Sequence, residues 1–159
     1  MNAVKKLSVG AWITLVAAVL GVASLIVYTV NISSAGYFQN AAVSNLVPIC
    51  VLAVVALVCA VLLGQIKLPG PASTVMELVV GVLQLCAPVL FTLCLINLVA
   101  ARAEGLGFIY FSNADVILEV QTPANLSSAT GSIANMVCLG VATLAGLVGA
   151  FCGMRKRGA

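Results

Sequence analysis

Long apolar stretches alternate with short polar connections along this chain. Four of them, residues 9–30, 46–66, 75–100 and 131–154, have the length of about 20 mostly apolar residues that a membrane-spanning helix needs. Glu77 is the only acidic or basic residue within them. The pattern predicts an all-α integral membrane protein, with residues 1–159 forming one up-down-up-down bundle of four transmembrane helices.

The composition supports this prediction and narrows the function. Hydrophobic residues make up 63% of the chain and charged residues 7%, against about 25% charged residues in soluble domains. Seven Lys and Arg against four Asp and Glu are too few bases for a nucleic-acid-binding surface. The partner of most of the surface is therefore predicted to be the lipid bilayer.

The basic residues predict how the bundle is oriented. With four spans, one side of the membrane receives both termini and the middle connection, and that side holds six of the seven bases: Lys5, Lys6, Lys67, Arg155, Lys156 and Arg157. The opposite side holds only Arg102. Because bases collect on the cytoplasmic side, both termini are predicted to be cytoplasmic, in the cell or plasma membrane, with outer loops at residues 31–45 and 101–130.

The second outer loop is the longer one and contains two β-prone runs. Residues 107–111 and 116–121 are rich in Phe, Tyr, Ile and Val, and the polar residues 112–115 separate them. This pattern predicts a small β-hairpin. The alternative is a belt of aromatic side chains lying at the membrane interface.

The third span carries an unusual polar stripe. Its members recur at steps of four, three, four and four residues: Glu77, Gly81, Gln84, Pro88 and Thr92. Polar groups in an apolar span are costly unless they meet partners or water, so the stripe is a candidate substrate path. The alternative interpretation is structural, with Glu77 in a capping box begun by Thr74 and Gln84 bonded to a neighbouring helix.

Small residues predict how the helices pack. Membrane helices approach closely where such residues recur on one face, and the candidates here are Gly21, Ala56, Ala60, Gly64, Gly146, Gly149 and Gly153. Every tight bundle needs these faces, so they say little about function.

Catalytic and metal-binding chemistry is not expected. The chain has no His, and its six Cys all fall within the four spans. The pattern offers no paired carboxylates and no nucleophile with a nearby base. We therefore predict no enzyme activity, no metal and no cofactor.

Two functions remain. The first is a scaffold or accessory subunit whose outer loops bind another membrane or extracytoplasmic protein, or a second copy of the chain. Its contacts would be aromatic anchors, namely Phe108, Tyr110 and Phe111, with Tyr37 and Phe38 of the first outer loop. The alternative is an oligomeric small-solute transporter or channel that uses the polar stripe of span three.

Overall fold

The computed structural model describes residues 7–66 and 69–154, and within them it is helical without a strand. The helices are α1 (Val9–Ser33), α2 (Leu46–Gly64), α3 (Pro71–Phe111), α4 (Ala114–Val120) and α5 (Pro123–Phe151). All except α4 are long and apolar enough to cross a membrane. The predictions of an all-helical architecture and of four membrane-length helices are thus confirmed, and the chain is built as an integral membrane protein.

The helices differ greatly in length. At 1.5 Å per residue, the 19 residues of α2 extend about 28 Å, close to the hydrocarbon thickness of a bilayer, about 30 Å. The 41 residues of α3 extend about 62 Å. The sequence predicted a span of 75–100 there, so α3 is longer than expected at both ends.

The predicted β-hairpin is wrong. Residues 107–111 are the last turns of α3, and residues 114–120 form α4. Asn113 caps α4, because its side chain accepts a hydrogen bond of 3.0 Å from the Val116 amide. Thr122 caps α5 by accepting one of 3.2 Å from the Asn125 amide, and Pro123 follows as the first helical residue. The region predicted as outer loop 101–130 is therefore almost entirely helical.

The four long helices pack as neighbouring pairs: α1 with α2, α2 with α3, α3 with α5, and α5 with α1. Ser8, which caps α1, donates a 2.7 Å hydrogen bond to the Gly153 carbonyl just beyond α5. At the other end of α1, Asn31 donates 2.8 Å to the Ser128 carbonyl near the start of α5. The beginning of each of these two helices thus contacts the end of the other.

The middle of the bundle is marked by Gly21 of α1. A methyl group there would lie 2.6 Å from the Phe91 ring of α3 and 2.7 Å from Val54 of α2, so three helices converge at this level. Phe91 itself is fully buried. The opposite faces of the helices expose Val, Leu and Ile side chains, as contact with lipid requires.

The six bases that predict the orientation, Lys5, Lys6, Lys67, Arg155, Lys156 and Arg157, lie outside the described residues. The cytoplasmic location of both termini, which rests on these bases, therefore stays a prediction.

Candidate partner-binding site

Helix α3 extends well past the end of α2. Cys94 of α3 lies against the first residue of α2, with its Sγ 3.6 Å from the Leu46 carbonyl oxygen. From Cys94 to Phe111 there are 17 residues, or about 26 Å of helix. This outer part of α3 supports the connection from α1 to α2 on one side and α4 on the other.

The connection between α1 and α2 is fixed to α3 through a buried arginine. Arg102 is only 3% exposed. Its Nη2 donates a 2.5 Å hydrogen bond to the Ala41 carbonyl, and its guanidinium lies 4.5 Å from the centre of the Phe38 ring. Its Nε has no hydrogen-bond partner among the described residues. A cation over an aromatic face is attractive, so Arg102 fastens both Phe38 and the backbone of this connection.

Gly105 lets the aromatic rings of the connection lie directly on α3. A methyl group at Gly105 would lie 2.6 Å from Cε1 of both Tyr37 and Phe38. The two rings meet edge to face with their centroids 5.2 Å apart. Any larger side chain at this position would push them away from the helix.

A third set of bonds ties the connection to α5 and α1. The Phe38 amide donates 3.2 Å to Ser128 Oγ, which in turn donates 3.2 Å to Asn31 Oδ1. The Val43 amide donates 2.6 Å to the Tyr28 hydroxyl. The segment from α1 to α2 is therefore held by three helices rather than by its own turns alone.

Helix α4 is fastened in a similar way. Gln121 Nε2 donates a 3.0 Å hydrogen bond to the Ile109 carbonyl in the last turns of α3. Asn125 Nδ2 donates 2.8 Å to the Val120 carbonyl at the end of α4. These bonds fix α4 between the end of α3 and the start of α5.

Four large apolar side chains are exposed on this framework, and we call them the outer apolar surface: Tyr37 (42% exposed), Phe108 (43%), Phe111 (87%) and Leu118 (83%). Tyr37 and Phe108 lie with their ring centroids 6.0 Å apart. Leu118 was not singled out from the sequence, because a hairpin was expected there.

The other two predicted contact residues are placed differently. Tyr110 is half-buried. Phe38 is only 3% exposed, and its ring packs under the guanidinium of Arg102. Phe38 therefore stabilises the site and is not available for contact with a partner.

The polar stripe of span three is divided between two environments. Glu77 is exposed and accepts a 3.4 Å hydrogen bond from Ser73 Oγ. Within the part of the chain that the structure describes, and apart from the nearby backbone of α3 itself, no atom lies within 4 Å of where a side chain at Gly81 would begin. Helix α3 starts at Pro71 with Gly70 at its N-cap, so the predicted capping box from Thr74 is wrong.

The deeper members of the stripe face other helices. Gln84 is buried, and its Nε2 donates 3.1 Å to the Gly149 carbonyl and 3.4 Å to Thr14 Oγ1. Pro88 lies against Gly146. The Thr92 hydroxyl donates a hydrogen bond to the Pro88 carbonyl of its own helix. Gln84 therefore links α3 to α1 and α5 through hydrogen bonds.

Most of the small residues noted in the sequence lie at helix contacts. Ala56, Ala60, Gly64, Gly146 and Gly149 are buried, and Gly21 meets Phe91 as described above. Gly153 is exposed, although its carbonyl accepts the bond from Ser8.

Arg102 is the residue that sequence reasoning missed, because it was counted only as the single base on the outer side. A single base directly after the predicted span 75–100 was the only signal in the sequence. Within the described residues there is no group of three or more His, Cys, Asp or Glu that could hold a metal ion.

No family model, curated protein or solved structure matches this chain.

Proposed function

We propose that this chain is a non-enzymatic scaffold or accessory subunit that binds another protein through the outer apolar surface. Its four long helices cross the membrane up, down, up and down, with both termini in the cytoplasm. The observation that carries the proposal is the 87% exposure of Phe111 at the end of α3, at a height that we infer to be above the lipid.

That height follows from the helix itself. Helix α2 is only about 28 Å long and begins level with Cys94, so the middle of the membrane lies no further along α3 than Phe91. Phe111 is 20 residues beyond Phe91 and is therefore at least about 30 Å from the middle. A bilayer with its headgroups is about 40–45 Å thick, so its surface lies about 20–22 Å from the middle. An ordinary helix tilt of about 20° shortens 30 Å by only about 2 Å. Phe111 therefore extends into water, and an aromatic belt does not account for it.

The neighbours of Phe111 make a suitable protein contact. Phe108, 17 residues beyond Phe91, lies at least about 26 Å from the middle by the same count. Aromatic side chains are enriched among the residues that contribute most to binding. Here they are presented by helices that Arg102 and Gln121 hold in place, so little ordering entropy remains to be lost on association.

The transporter alternative has less support. Gln84, its deepest polar residue, is buried and already bonded to Gly149 and Thr14. Glu77 lines a cavity together with Gly64, the last residue of α2, and thus lies near the headgroups at the end of the spanning part of the bundle. A charged side chain is inexpensive at that depth and needs no functional explanation.

Affinity purification from the native membrane tests the proposal. The tested variant changes Phe111 and Leu118 to Ser. Its matched control is Phe151→Ser, because Phe151 is 86% exposed at the opposite end of the bundle. The few residues that dominate an interface each cost about 2 kcal/mol or more when truncated, and the proposal assigns this role to Phe111, so the double change is expected to weaken binding at least tenfold.

We expect wild type and Phe151→Ser to recover one protein in a fixed ratio to this chain, and the double variant to lose it. Equal recovery with the double variant would refute the role of this surface. Absence of any partner at a fixed ratio with wild type would refute the accessory function itself.

A further inference from the structure

Three exposed carboxylates accompany the side chains of the outer apolar surface. The connection from α1 to α2, the outer part of α3 and helix α4 together contain one base, Arg102, and three acids, Glu104, Asp115 and Glu119. Arg102 is 3% exposed, whereas all three acids are exposed. Among the described residues, the side chains of these acids make no hydrogen bond and no ion pair. The exposed charge of this end of the bundle is therefore entirely negative.

On α3 the acid lies beside the exposed aromatic residues. Glu104, Phe108 and Phe111 follow each other at steps of four and three residues. Side chains with these spacings are neighbours on one face of a helix. The Phe108 ring in turn contacts the ring of Tyr37. The carboxylate of Glu104 thus borders the part of the outer apolar surface that α3 provides.

On α4 two acids lie on the same face as the exposed leucine. Asp115 precedes Leu118 by three residues and Glu119 by four, so the three side chains are neighbours. Asp115 is in the first turn, where the helix dipole favours an acid. Glu119 is next to the last residue of α4, where the dipole disfavours an acid, and it repels Asp115 one turn away. Helix α4 therefore gains nothing from Glu119 by itself, and a base supplied from outside would relieve both effects.

We propose that the partner of the outer apolar surface is a protein whose docking face carries Lys or Arg side chains around an apolar centre. This inference rests on the proposed function and names the chemistry of the partner. Charges of opposite sign around an interface speed association and exclude partners of the wrong sign. A second copy of this chain would present the same carboxylates, so this surface repels its own counterpart in a two-fold dimer.

Two synthetic peptides test the sign of the partner directly. Both are amphipathic helices of equal length with the same face of Leu and Trp, and the polar face carries Lys in one peptide and Glu in the other. Binding is measured to the full chain in nanodiscs of zwitterionic lipid, with empty nanodiscs as background. The salt is about 0.15 M, where exposed charges are screened beyond about 8 Å.

The wild type should bind the Lys peptide at least about tenfold more tightly than the Glu peptide. Three exposed ion pairs are gained with the first peptide and three repulsions with the second, each of modest strength. At about 1 M salt the screening length falls to about 3 Å, and most of the difference should disappear.

Three variants separate charge from shape. The neutral variant combines Glu104→Gln, Asp115→Asn and Glu119→Gln, and it should bind both peptides equally well. The conservative variant combines Glu104→Asp, Asp115→Glu and Glu119→Asp, and it should keep the preference because it keeps the charges. Glu77→Gln removes an exposed carboxylate at the opposite end of the bundle and should leave the preference unchanged.

The apolar centre has its own variant. Changing Phe111 and Leu118 to Ser should weaken binding of the Lys peptide, because the peptide then meets the carboxylates without the apolar side chains between them. An unchanged affinity would show attraction by charge alone and would overturn the proposed docking face.

Two further results would overturn the proposal. They are a wild type that does not prefer the Lys peptide, and a preference that survives in the neutral variant. The peptides replace the native partner, so the two proposals can fail separately. A partner recovered at a fixed ratio, without a preference for the Lys peptide, would reject the basic docking face and retain the accessory function. A clear preference without any recovered partner would reject the accessory function alone.

Discussion

Replacing Gly105 by Ala should release the segment between α1 and α2 from the outer part of α3. The added methyl would lie 2.6 Å from Cε1 of both Tyr37 and Phe38. Phe38 cannot retreat freely, because it is 3% exposed and lies under the guanidinium of Arg102. The substitution therefore separates the rings from the helix and loosens Arg102 as well.

The size of the effect follows from two opposing terms. Overpacking of a filled site costs about 1–3 kcal/mol. Replacing Gly by Ala within a helix stabilises the folded protein by about 0.5–1 kcal/mol. Gly107 isolates the second term, because it lies in the same helix and, apart from the nearby backbone of α3 itself, no atom of the described residues lies within 4 Å of where its methyl would be. Gly107→Ala should thus stabilise by about 0.5–1 kcal/mol, and Gly105→Ala should be about 1–3 kcal/mol less stable than Gly107→Ala.

The measurement is reversible unfolding in mixed micelles, with sodium dodecyl sulfate titrated into a mild detergent and helix content followed by circular dichroism. Limited proteolysis of the native state reports the connection itself, and Gly105→Ala should be cut between residues 34 and 45 faster than Gly107→Ala. Equal unfolding free energies for the two variants would refute the packing of Tyr37 and Phe38 on α3.

Further predictions concern the interior of the bundle. Gln84→Leu should destabilise by about 0.6–2 kcal/mol, because it removes the bonds to Gly149 and Thr14, yet leave partner recovery unchanged; loss of a solute flux would instead favour transport. Asn135→Leu removes the bond from Ser24 near mid-membrane and should cost a similar amount in the same titration. Gly149→Ala places a methyl 2.8 Å from Thr14 Oγ1 and should destabilise by about 1–3 kcal/mol, whereas Gly81→Ala meets open space and should be neutral or stabilising.

The four membrane-length helices could be predicted from the sequence because of the length of their apolar stretches. An uninterrupted run of about 20 apolar residues has few alternatives to a spanning helix. The starts of α1 and α2 at Val9 and Leu46 agree with the prediction to the residue. The end of α3 does not, because the predicted span stops at residue 100 whereas the helix continues to Phe111.

The β-hairpin predicted for residues 107–121 is wrong because short apolar runs fit a strand or a helix equally well. The deciding signals were local caps. Asn113 followed by Asp115, and Thr122 followed by Pro123, are typical helix starts, and the structure uses both Asn113 and Thr122 as caps. The hairpin prediction rests instead on the β-propensity of Phe, Tyr, Ile and Val, which is strongly dependent on context.

The site depends on contacts between distant parts of the chain, which no local pattern contains. Arg102 meets Ala41 across 61 positions, and Ser128 meets Phe38 across 90. The aromatic residues could be proposed as candidates, but only the fold separates Phe38, which is internal, from Phe111, which is exposed.

The height of Phe111 above the membrane is the central claim, and electron paramagnetic resonance can measure it. A nitroxide is attached at Phe111→Cys in liposomes, and its collision rates with oxygen and with a water-soluble nickel complex are compared. Val89→Cys, exposed on α3 two residues before Phe91, serves as the lipid reference. The account predicts that the label at 111 meets the nickel complex freely and the label at 89 meets mainly oxygen. A label at 111 that meets mainly oxygen would place Phe111 in lipid and contradict the proposed partner surface.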